Sequence, residues 1–129
     1  MRSLPVGLFA SACVLAACAA PVALLLDAWP LALGVCAGVV LHEAAHAAAL
    51  WGVPRALVLH GIRPTLLHPH VGATRALLVA TAGPLAPALT ALLVVSFWRV
   101  SPAACAPLAA HALGLTVLAP DGRNACGLS

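Results

Sequence analysis

Four long apolar runs, roughly Leu4 to Leu26, Leu31 to Trp51, Ala76 to Trp98 and Ala103 to Pro120, divide the chain, and polar residues gather in the short breaks between them. A helix needs about 20 apolar residues to cross about 30 Å of hydrocarbon, so each run is a candidate membrane span, the fourth being the shortest. Asp27 and Pro30 punctuate the first break, Gly52 and Pro54 the second, Arg99 and Pro102 the third. Trp29, Trp51 and Trp98 fall at run ends, where indole rings favour the headgroup level of a bilayer. The pattern predicts an all-α integral membrane protein with about four transmembrane helices. Between the second and third helices, "RALVLHGI" alternates enough to form a strand within the loop of residues 52–75.

Composition strengthens this reading. Hydrophobic residues make up 64% of the 129 and charged residues 7%, more apolar material than a soluble domain can bury. The six basic residues are all arginines, and a net charge of +3 spread along the chain argues against a nucleic-acid surface. With the N-terminus in the cytoplasm, Arg2, Arg55, Arg63, Arg75 and Arg123 lie inside and only Arg99 outside, which satisfies the positive-inside rule. The 52–75 loop is then cytoplasmic, and the expected location is a multi-pass protein of a bacterial cell membrane. Residues 1–30 read as an N-terminal transmembrane helix; "LAAC" at 15–18 also matches a lipoprotein processing box that would make Cys18 the anchor. The five cysteines contain no CxxC pair and Cys13, Cys18 and Cys36 sit in apolar runs, so neither a disulfide framework nor a thiolate metal site is expected.

Polar groups inside the second run change the picture from structure to chemistry. His42 and His46 stand one helical turn apart with Glu43 beside them, the HExxH arrangement. Two neutral imidazoles at that spacing can hold a zinc ion, while a carboxylate that is not a ligand can take a proton from the attacking water and deliver it to the leaving amine. A shuffled chain of this composition contains about 0.002 such matches. Ionised groups within a membrane span also cost roughly 2.5–3.5 kcal/mol each on insertion scales, which favours a functional role over a polar clamp between helices.

A zinc peptidase needs a third protein ligand and an open position. The only acidic residues are Asp27, Glu43 and Asp121. Asp27 is at the outer end of the first span and Asp121, in "LAPDGRN", at the inner end of the fourth. Counting about 1.5 Å per residue from Trp51 puts His46 roughly 7–8 Å and His42 roughly 13–14 Å from the inner interface, so topology selects Asp121. His111, roughly 15 Å further along the same run, is the rival, with a hydrogen bond to a neighbouring helix as its structural alternative.

These residues resemble the site-2 protease family of intramembrane zinc metalloproteases. "HEAAH" at 42–46, "TAGPLAP" at 81–87 and "LAPDGRN" at 118–124 occur in that family's order, and the resemblance covers residues 31–129, which would form the membrane catalytic core. It implies one zinc ion per chain held by His42, His46 and Asp121, with Glu43 as catalytic base, and a membrane-embedded protein or peptide substrate cut near the cytoplasmic side. Family members also carry a β-hairpin in the loop after the HExxH helix. The pattern departs at Pro87, Leu113 and Thr116, where asparagines and an Asn-x-x-Pro stretch are usual; this bears on substrate positioning more than on zinc. No PDZ-like domain is expected, so substrate selection falls to the helices or a partner.

Gly83 and Pro84 are candidate substrate-binding positions: Pro84 cannot donate to the Ala80 carbonyl, and Gly83 admits a close backbone. A kink with tight helix packing is the alternative use. His60, His68 and His70 offer an accessory metal or pH-sensing cluster, or simply solvated loop groups. The competing functional class is a non-catalytic member of the same family acting as a binding or regulatory partner. A metal carrier fits less well, because the outer half offers little beyond Asp27 for an ion path.

Overall fold

The computed structural model describes residues 4–53, 56–60 and 63–115. It is mostly helical: α1 (Leu4–Leu26), α2 (Trp29–Ala49), α3 (Ala73–Trp98) and the short α4 (Pro102–Ala109), which continues as a 3₁₀ segment over Ala110–Leu115. Strands β1 (Ala56–His60) and β2 (Arg63–Leu67) pair antiparallel between α2 and α3, with Ala56 opposite Leu67 and His60 opposite Arg63. The strand expected from the alternation in this loop is therefore present as β1, and its pairing with β2 forms the hairpin that the family resemblance implied. β1 packs against α1, and β2 against α2.

Local chemistry sets the helix ends. Asp27 takes a left-handed conformation (φ 50°), and the Ala28 N–H reaches back to the Ala23 carbonyl at 3.1 Å. That is the bond of a Schellman stop, with aspartate where glycine is more usual. Pro30 opens α2 within its first turn, where a missing N–H costs nothing. At the other end Gly52 adopts φ 76°, which a side chain would resist, and the chain turns into the hairpin. The Arg75 guanidinium bonds the carbonyls of Ala49 and Trp51, supplying donors to the C-terminal end of α2 from the first turn of α3.

Burial is inverted relative to an ordinary globular domain. The interior is built from small or polar residues: Ala23, Ala47, Ala80, Ala91, Gly34, Gly38, Gly83, Glu43 and His46 are buried, with Leu50, Pro84 and Pro87 the largest fully enclosed side chains. Large apolar residues of α3, among them Leu77, Leu78, Leu89, Leu92 and Phe97, face outward. α2 and α3 are each long and apolar enough to cross a membrane; in α1 the shorter stretch Ala12–Leu25 is similarly apolar.

Residue pairs across the seams give the helix directions. α2 meets α3 antiparallel, since Ala49 neighbours Arg75 while His46, three residues earlier, meets Val79, four residues later. It meets the α4 region parallel: Gly34 lies under Pro107 and Gly38 under His111, the same four-residue step on both sides. The fourth apolar run departs from the single long helix expected over Ala103 to Pro120: α-helix ends at Ala109, and the chain from 116 onward lies outside the described residues. Pro107 cannot donate to the Ala103 carbonyl, which weakens the α ladder there. A 3₁₀ turn also repeats every three residues, so His111 and Gly114 share one face. Both are used: His111 meets Gly38, and Gly114 meets Pro84.

Candidate metal centre

α2 carries His42, Glu43 and His46 at the place where α3 and the 3₁₀ segment converge on it. His46 and Glu43 are each only 8% exposed, so a carboxyl and an imidazole sit in the interior of an otherwise apolar bundle. Glu43 is the next residue along the helix from His42, and its backbone is fixed by the same turn.

His46 is held on two sides. Its Nδ1 lies 2.6 Å from the Val79 carbonyl of α3. A carbonyl can only accept, so Nδ1 carries a proton, and Nε2 is turned toward His42. Gly83, one turn beyond Val79, makes the space: a Cβ built there would run into the imidazole itself. Gly83, expected to admit another backbone, instead admits the His46 side chain.

His42 completes the turn. Its Nε2 is 3.0 Å from His46 Nε2, the rings meeting edge to face. Two nitrogens bound to one tetrahedral zinc at about 2.0–2.1 Å would stand roughly 3.3 Å apart, so this pair fits a shared ion after a few tenths of an ångström of opening. The Nδ1–H···O=C bond of His46 is the outer-sphere contact that metal-ligating histidines generally make. On the other edge of the ring, His42 Nδ1 lies 3.4 Å from His111 Nδ1. Contacts between imidazoles thus run from His111 through His42 to His46, and from His46 to the Val79 carbonyl.

His111 consequently meets the edge of His42 opposite the one turned to His46. Among the described residues no group of three or more His, Cys, Asp or Glu side chains is arranged to hold a metal ion. The described donor set is the histidine pair, and Asp121, the expected third ligand, lies outside the described residues, as does Thr116.

Gly83 and Pro84 are both buried in helix contacts, Gly83 against His46 and Pro84 against Gly114. Pro84 and Pro87 together deprive the Ala80 and Gly83 carbonyls of their usual donors four residues on. Leu113 is exposed and Pro87 enclosed. His60 ends β1, while His68 and His70 are exposed; His68 Nδ1 donates to the Pro69 carbonyl at 2.8 Å, a local bond that commits it to its own loop. The feature sequence reasoning missed is the Gly34-x-x-x-Gly38 spacing on α2, a helix-contact signal that marks where Pro107 and His111 dock. No family model, curated protein or solved structure matches the chain.

Proposed function

We propose that this chain is an intramembrane metallopeptidase. More particularly, it is a zinc endopeptidase of the site-2 protease type, cutting a membrane-embedded protein or peptide near the cytoplasmic side. One observation carries the reading: the Nε2 atoms of His42 and His46 stand 3.0 Å apart on one helical turn, with His46 held at Nδ1 by Val79 and the buried Glu43 next to them. Outward-facing leucines around a small-residue interior support residence in a bilayer, where helices associate through close backbone contact. The arginine distribution supports a cytoplasmic N-terminus in a multi-pass cell-membrane protein.

His42 and His46 would hold the zinc ion, with Asp121 as third ligand by the family resemblance. The ion supplies Lewis acidity toward the scissile carbonyl and toward water. Glu43 does the proton work: its carboxylate takes a proton from water as the oxygen bonds to the carbonyl carbon, then delivers it to the nitrogen as the C–N bond breaks. Burial of Glu43 and His46 keeps that carboxylate and that imidazole out of competing bulk water. In the direct test, zinc is measured in the detergent-purified protein and in His46→Ala. One zinc per chain, lost on substitution, is the expected result; a folded protein that takes up none after metal is restored would end the peptidase reading.

The same hydrogen-bond chain favours a second reading, a non-catalytic family member that binds another membrane protein. The contacts of these imidazoles with one another and with the Val79 carbonyl would clamp α2 to α3 and to the 3₁₀ segment. Such a protein tolerates Glu43→Gln without loss of function, whereas a peptidase does not.

A further inference from the structure

We infer that His111 is a positioning residue for the metal site: its Nδ1 hydrogen-bonds His42 Nδ1 and so holds the His42 ring with Nε2 turned to the ion. The inference rests on the proposed zinc site and adds a residue that HExxH spacing does not contain. Three observations carry it.

The first is which edge of the ring is used. His42 turns Nε2 to His46 at 3.0 Å and Nδ1 to His111 at 3.4 Å, so His111 stands behind the ligand and not beside it. The second is that the ring of His111 is seated. A Cβ at Gly38 would lie 2.5 Å from its Nε2 and 2.9 Å from its Cδ2; glycine one turn before His42 is what allows the imidazole to lie against the α2 backbone and reach Nδ1 of His42. The third is symmetry of construction. His46 is held by an acceptor at Nδ1, the Val79 carbonyl, and is admitted by a glycine, Gly83; His42 has His111 at its Nδ1 and Gly38 as the glycine that admits it.

With Nε2 of His42 turned toward His46, the contact at Nδ1 is what holds the ring at that angle. A hydrophobic residue at 111 removes that contact, and outer-sphere contacts of this kind support the affinity of the ligand they orient.

The test uses the full chain in detergent, labelled with ¹⁵N-histidine and loaded with ¹¹³Cd, alongside Co²⁺ titrations of variants. Cadmium–nitrogen coupling is expected on Nε2 of His42 and His46 and absent from His111. His111→Ala should weaken Co²⁺ binding by roughly 10- to 100-fold at unchanged stoichiometry. His111→Gln, whose amide can make the same bond, should recover part of that loss and also guards against a cavity effect. Gly38→Ala should weaken binding by displacing His111, yet have little further effect in a His111→Ala background. Coupling from cadmium to His111 would make it a ligand and overturn the inference, as would Co²⁺ affinity indifferent to all three changes. A folded wild type that binds neither metal would bring down the zinc site itself and this role with it, whereas indifference confined to the variants removes only the role of His111.

Discussion

The two seams that meet on α2 solve one problem with different materials. Toward α3, His46 is locked by a main-chain carbonyl and lies 8% exposed, in a seat that Gly83 opens. Toward the 3₁₀ segment, His42 meets another side chain, His111, at the longer distance of 3.4 Å, and both rings are only half-buried. A carbonyl in a helix is fixed by its neighbours and has one role, that of acceptor. An imidazole can be donor or acceptor at the same atom. The α3 seam therefore fixes a donor at His46 Nδ1, whereas at the 3₁₀ seam either ring can be donor or acceptor.

Glu43→Gln gives the sharpest contrast between structure and chemistry at this junction. It preserves both seams and removes the base, so cleavage should fall by at least 10²- to 10⁴-fold while zinc stays near one per chain; retained proteolysis would refute the mechanism. Next in size is the third ligand. Asp121→Ala should lose zinc stoichiometry, and His111→Ala should keep it at reduced affinity, as metal analysis of the purified variants will read; the reverse ranking hands the ligand role to His111 and erases the difference between the seams. The glycines test the two seats directly. Gly83→Ala should lower metal affinity more than Gly38→Ala, because the intruding Cβ meets a ring that is buried and tied by Nδ1, while the ring over Gly38 has more freedom to move. Equal effects would mean the two seats are equally rigid. Smallest is Arg75→Met, which removes the donors at the α2 terminus and should cost on the order of 1–2 kcal/mol in reversible unfolding, with metal content unchanged.

Much of this arrangement was legible in one dimension. Apolar run lengths, with their tryptophan and proline boundaries, located the three long helices to within three residues at each end, because a helix that is apolar throughout declares itself by length and composition. Alternation in "RALVLHGI" marked the first strand of the hairpin. The i, i+4 spacing placed His42 and His46 on one face. The fourth run shows where such reading stops. Its composition resembles a helix throughout, yet the structure changes to 3₁₀ at Ala110, because Pro107 weakens the α ladder and the three-residue repeat presents His111 and Gly114 to the same groove.

What the sequence by itself determined, then, is the set of long helices, the first strand of the hairpin and the histidine pair with its adjacent carboxylate, all of them consequences of spacings within a few residues along the chain. Only the tertiary structure decided that His46 takes its proton partner from Val79, 33 residues away, and that His111, 69 residues from His42, arrives at the Nδ1 edge of its ring. The physical reason is that these contacts depend on how closely two helices approach. Gly34, Gly38 and Gly83 permit that approach, and a glycine names no partner until packing supplies one.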